Sequence, residues 1–186
     1  GQIISYLKSG EVDLNKVGIF MSQTGGGCRA SNYVALLRKA LKDMGMEQIP
    51  VISVNMAGLE KNPGFKISKG IIKRGMMAVM YGDLLMRVLY ATRPYEKVPG
   101  SANALYEECC DMIRDNIVSG DMKEYKRLMK VIVEKFDQLP LLDIQKPRVG
   151  VVGEILVKYH PNANNDIVNI IESEGGEAVV LDLADF

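Results

Sequence analysis

The stretch from Val17 to Tyr33 constrains the fold of this chain more than any other. It runs Val-Gly-Ile-Phe-Met-Ser-Gln-Thr-Gly-Gly-Gly-Cys-Arg-Ala-Ser-Asn-Tyr. Val17 to Met21 is a short apolar run, which reads as a buried strand. The chain then turns through Ser22, Gln23, Thr24, Gly25, Gly26, Gly27 and Cys28, and Ser31 stands as N-cap of a helix with an apolar stripe at Val34, Leu37, Leu41 and Met44. Strand, glycine turn and helix N-terminus in this order form an anion-binding device. Glycines admit positive φ, successive N–H groups converge, and the helix dipole adds partial positive charge. The same field favours a thiolate at Cys28. The stretch matches neither a Walker A loop nor the GxGxxG dinucleotide fingerprint. A tight strand-to-helix turn with a half-buried cysteine stays open as the plainer reading.

Ile49 to Asn55 reads as a second buried strand, with Pro50 at its start, where a missing N–H is tolerated. A strand–helix–strand crossover of this length gives a parallel pair. Asn55 then falls at the carboxyl edge beside the glycine turn, where open parallel sheets bind ligands. The segment 66–91 reads as a helix rich in methionine (Met76, Met77, Met80, Met86), for which core packing is favoured over a ligand-moulding surface. Within it Asp83 and Arg87 have the spacing of a surface ion pair. Arg93 to Gly100 is a turn-rich connector. Two further helices follow, one capped by Ser101 with Cys109 packed as a small hydrophobe, the other opened by an Asp121/Glu124 capping box.

Arg148 to Glu154 reads as a third buried strand, and Ile155 to Asn162 as a long loop carrying the single histidine, His160. Asn162 or Asn164 caps a helix whose inner face is Ile167, Ile170 and Ile171, and Ala178 to Asp182 is a fourth strand. Glu154 and His160 are candidate catalytic residues, since a carboxylate and an imidazole can do acid–base work. His160 can equally be a ligand or a loop hydrogen-bonder. The expected fold is α/β, with flavodoxin- or Rossmann-like parallel-sheet lobes of three layers flanking a central helical block. The expected domains are 1–65, 66–145 and 146–186. A helix tail at Gln2 to Gly10 and a stop just past a strand make the chain read as a fragment of a longer one.

Composition excludes several classes. Lys plus Arg and Asp plus Glu both total 23, so no net field recruits nucleic acid or an anionic membrane. No apolar run approaches the ~20 residues that span a bilayer. Three cysteines, two of them adjacent, are not a disulfide framework, and a reducing cytoplasm is the expected location.

Several blocks together carry a resemblance. They are Gln23 to Tyr33, Pro50 to Asn55, Gly58-Leu-Glu-Lys-Asn-Pro-Gly-Phe65, Tyr81-Gly-Asp-Leu-Leu-Met-Arg87, Arg93 to Asn103, and Gly153 to Asn165. Over nearly its whole length the chain is similar to the activator-related proteins of the 2-hydroxyacyl-CoA dehydratase system. The resemblance implies the dehydratase-like portion of such a protein, with α/β lobes around an iron–sulfur cluster and no ATPase phosphate loops. It implies Cys28 as a metal ligand, with another family cysteine just upstream of Gly1. The site around it would comprise Gln23, Thr24, Gly25, Gly26, Gly27, Arg29 and Asn55. One ligand short, this stretch of chain would be purified without its cluster. Expected partners are an ATPase domain or dehydratase subunits, with an acyl-CoA. The expected role is low-potential electron transfer or dehydration. The alternatives are a redox-inactive module binding acyl-CoA or phosphate, and a scaffold that docks the ATPase.

Overall fold

A β-branched apolar run leading into an amphipathic stripe favours a strand and then a helix, and the first part of the chain is built that way. The structure, a computed structural model, describes residues 1–23, 29–55 and 68–185, without the side chains of residues 22, 29, 30, 54 and 55. It divides into two compact units, Gly1–Lys66 and Ile67–Phe186.

In the first unit, helix α1 (Gln2–Lys8) is followed by Gly10 at φ +82°, the left-handed turn expected of a glycine past a helix end. Strand β1 (Ile19–Gln23) and strand β2 (Val51–Asn55) pair in parallel, Ile19 opposite Val51 and Gln23 opposite Asn55. Helix α2 (Tyr33–Asp43) connects them. Leu7, Val34, Leu37, Leu41, Ile49 and Val51 form the core of this unit. Ser31 is not the N-cap. A 3-10 turn over Arg29–Asn32 precedes α2, and Asn32 takes the cap position without a side-chain bond.

The second unit joins the helical block and the second α/β piece. Helices α3 (Lys69–Thr92), α4 (Ser101–Ser119) and α5 (Met122–Asp137) pack Tyr81, Leu85, Leu89, Ala102, Cys109, Ile113, Leu128, Ile132 and Phe136 into one core. Inside it the Tyr81 hydroxyl donates to Asn116 Oδ1 at 2.8 Å, and Asn116 Nδ2 donates to the Asp121 carbonyl at 3.0 Å. One amide thus satisfies a buried phenol and links α4 to the start of α5. Burial raises the Tyr81 pKa to about 12 and that of Cys109, which is fully buried, to about 11. Cys109 is therefore an inert core thiol, as its helical position implied. The methionines divide: Met77 is buried, whereas Met76 and Met80 are exposed.

Helix termini follow the expected chemistry with exceptions. Gly120 closes α4 in the left-handed conformation. Asp121 accepts from the Lys123 and Glu124 amides, but Glu124 turns to Arg127 instead of completing a capping box. Ser101 does not cap α4. Gly100 holds that position, and the Glu96 carboxylate accepts from the Gly100 and Ala102 amides at 2.6 and 2.7 Å.

Strand β3 (Arg148–Val151) pairs in parallel with strand β4 (Glu177–Val180), Arg148 opposite Glu177. Contrary to expectation, β3 is not a buried strand, since Val151 alone of its four residues is buried. The expected loop from Ile155 is instead helix α6 (Ile155–Tyr159) and a 3-10 turn over Pro161–Ala163. The Lys158 amide donates to the Glu154 carbonyl at 2.9 Å, so the apolar triplet Ile155, Leu156, Val157 is helical, not extended. Proline after His160 ends the helix. Helix α7 (Ile167–Ser173) is capped from outside by Asn164 Oδ1, which accepts from the Ile167 amide at 3.3 Å. Its Ile170, expected inside, is 47% exposed. The architecture is thus mixed α/β, with two parallel two-stranded sheets among the described residues.

The Phe136→Ala substitution empties a site that is 1% exposed at the centre of the three-helix core. It should cost about 3–5 kcal/mol, read as a lower midpoint in chemical denaturation with an unchanged slope.

Candidate functional site

The carboxyl edges of the two parallel strand pairs are where this architecture can place chemistry. At the first edge, the β1–β2 register ends with Gln23 beside Asn55. Gln23 Nε2 donates to the Ser31 carbonyl at 3.1 Å, tying the strand end to the turn that opens α2. The two flanks of the glycine segment therefore meet at one edge. Thr24, Gly25, Gly26, Gly27 and Cys28 lie outside the described residues, as do the side chains of Arg29 and Asn55. Arg38 secures the far side of α2, its guanidinium donating to the Val51 carbonyl at 3.0 Å.

At the second edge, Glu154 and His160 occupy the two cap positions of α6, and both are exposed. The five residues of α6 separate them, six rises of about 1.5 Å or about 9 Å along the axis. The structure places them at opposite ends of one element and does not bring them together as a pair.

The second edge holds a cluster that sequence spacing misread. Asp83 and Arg87 do not form an ion pair with each other. Asp83, 7% exposed, turns its carboxylate to the 3-10 turn that follows β4 (Leu183–Asp185), accepting from the Leu183 and Ala184 amides at 2.8 Å each. Arg87 pairs with Asp182, and its contact to Asp185 is 3.6 Å. Two carboxylates thus reach one guanidinium, and a third, Asp83, holds the turn that carries one of them. Burial raises the Asp182 pKa above the ordinary carboxylate value, against the opposing pull of Arg87, and the Asp83 and Asp185 charges push in the same direction as burial. Its Oδ1 is buried without a hydrogen-bond partner. No local signal identifies this cluster, because the partners are about a hundred residues apart. The one available hint is an aspartate in a helix whose neighbours are apolar.

Comparison with family models, curated proteins and solved structures returns no match for this chain. Chemical assignment therefore rests on the residues themselves. Among the described residues, no group of three or more His, Cys, Asp or Glu side chains is arranged to hold a metal ion. None of the described helices is long and apolar enough to cross a membrane.

Two outcomes are expected at the Asp83 cluster. Asp83→Ala removes two charge-assisted bonds worth about 1.5–3 kcal/mol each, so hydrogen exchange at Leu183 and Ala184 should accelerate at least tenfold, by about 1.4 kcal/mol or more. Asp182 holds its proton more tightly folded than unfolded, so its neutral form favours the fold and that stability is lost as pH rises through the raised value. Asp182→Asn, permanently neutral, should therefore be more stable than the native chain near neutral pH. The gain should fade in acid when denaturation midpoints are compared.

Proposed function

We propose that this chain is an iron–sulfur-associated component of a 2-hydroxyacyl-CoA dehydratase system, taking part in low-potential electron transfer to an acyl-CoA. In this reading its two parallel strand pairs belong to flavodoxin- or Rossmann-like three-layer lobes in a cytoplasmic protein. Its partner is an ATPase domain or the dehydratase subunits. The observation that supports it is the parallel β1–α2–β2 unit, which sets Gln23 and Asn55 side by side at the edge from which Thr24 to Cys28 depart. Of the described residues in the blocks that resemble the activator-related family, Gln23 and Asn55 end the first strand pair, Glu154 follows β3, and Asp83 holds the turn after β4.

The donor set of this chain does not fit a cluster unaided. Cysteine-ligated clusters take four thiolates or a substitute ligand. Cys109 is excluded by burial in the three-helix core and by a thiol pKa pushed up to about 11. Cys110 neighbours it on α4, half-buried beside the Tyr106 hydroxyl. Cys28 remains as the one candidate thiolate, and further ligands would come from a partner. The chain's own contribution is the edge itself: glycine amides able to meet anionic sulfur, and Gln23 holding the strand end against Ser31. Glu154 and His160, at opposite ends of α6, would act on separate protons.

Anaerobic reconstitution of the full chain with iron and sulfide, alone and with the partner ATPase, tests the proposal. With the partner present, iron retention should fall severalfold in Cys28→Ala. Equal retention by the two proteins would overturn the redox reading and favour the redox-inactive module that binds acyl-CoA or phosphate at the same edge.

A further inference from the structure

In the second unit an open cleft of about 300 Å3 lies between α3, α4 and the segment that runs from α6 into α7. Three tyrosines line it, Tyr90 from α3, Tyr106 from α4 and Tyr159 from α6, with Leu89 among the apolar lining. A pocket of this size is at the small end of the range for organic ligands.

Its charges do not balance in the usual way. Arg93 is committed to Glu172, with Nε and Nη2 donating to the two carboxylate oxygens at 2.7 and 2.9 Å, and it also donates to Asn103 and Asn169. Lys158 is buried, its ammonium 5.0 Å from the centroid of the Tyr159 ring. Two carboxylates, Glu107 on α4 and Asp166 at the start of α7, line the same cleft. Neither forms an ion pair with a described residue, and Asp166 Oδ2 accepts from Asn169 Nδ2 at 2.8 Å. Asp166 is also held in the left-handed conformation, φ +58°, with Asn165 beside it at +56°. Strain of this kind persists only where the surroundings over-determine it. Here the Asp166 amide donates to the Pro161 carbonyl at 2.9 Å and locks the carboxylate-bearing residue in place. Burial raises the pKa of Tyr90 and Tyr106, and the charges of Asp166 and Glu107 act in the same direction on them. Both rings stay neutral; the Arg93 guanidinium already lies over Tyr90, 5.4 Å from the ring centroid, which leaves Tyr106 as the neutral aromatic surface for a ligand.

We propose that this cleft binds a small organic ammonium ion, its charge shared between Glu107 and Asp166 and its carbon skeleton laid on the Tyr106 ring and the apolar lining. The shared chemistry is the protonated amine. It comes either from a simple amine or from an amino acid. The site is independent of the iron–sulfur reading, since none of its residues belongs to the first unit.

Proton–nitrogen NMR titration of the full chain with L-leucinamide, L-leucine and N-acetyl-L-leucine separates the cases. Amides at Tyr106, Glu107 and Asp166 should shift with leucinamide, leucine or both, at a Kd of about 1 mM or tighter. N-acetyl-leucine, which lacks the ammonium, should produce no shift. Binding of leucinamide identifies a simple amine, and binding of leucine alone identifies an amino acid. Glu107→Gln, an exposed change on the helix surface, should weaken the bound amine about fivefold or more, and Tyr106→Phe should leave it unaltered. Equal binding of N-acetyl-leucine, unweakened binding by Glu107→Gln, or no shift from either amine at about 10 mM would overturn the proposal.

Discussion

Helix α3 has two unlike faces to satisfy, and the second unit depends on how it does so. Tyr81, Leu85 and Leu89 recur at helical spacing and fill the three-helix core. Asp83 and Arg87 sit about 200° around the cylinder from Tyr81 and Leu85, and they reach the turn after β4. A helix flanked on both sides loses the clean segregation of apolar and polar residues seen on a surface helix. Its charged side chains must then find fixed partners, because a buried carboxylate without them is costly. Asp83 finds two backbone amides, which hold its charge without requiring a second ion in the interior.

The connector after α3 extends the same logic. Arg93 grips Glu172, Tyr95 donates to Glu177 at 2.7 Å, and Glu96 caps α4 while bridging to Leu141. Within a few residues the chain fastens the helical block to the second strand pair on one side and to the end of α5 on the other. A turn-rich composition told only that the chain bends there. The polar side chains on the bend decide what it holds.

What the sequence disclosed and what it withheld divide along the distance between partners. The β1–α2–β2 crossover, the three long helices, the glycine stops at Gly45 and Gly120, and the core position of Cys109 all follow from local spacing and conformational preference. Asp83 and Arg87 were misread because four residues on a helix look like a pair, while their true partners sit at the end of the fold. Helix α6 was missed because a triplet of branched apolar residues is ambiguous until the Glu154 carbonyl is seen to accept the Lys158 amide. Of the candidate site, the residues at its rim were placed by strand register, but the register itself says nothing about which side chain does chemistry.

Each strand pair also carries a constraint that its own unit leaves unmet. Two-stranded sheets are marginal in water, and parallel strands are ordinarily covered on both faces. Here Val149 is 41% exposed, Leu181 56% and Val152 81%, around a pair that buries Val151, Ala178 and Val180. Helices α3 and α7 pack against this pair, yet these apolar side chains remain in water. The stability of the pair therefore derives mainly from the helices it leans on and from the polar fasteners at Asp83, Arg93 and Tyr95, and only secondarily from strand pairing. An element held in that way keeps its carboxyl edge in register only while the fasteners are intact, which makes buried Asp83, far in sequence from β4, a determinant of the geometry at that edge.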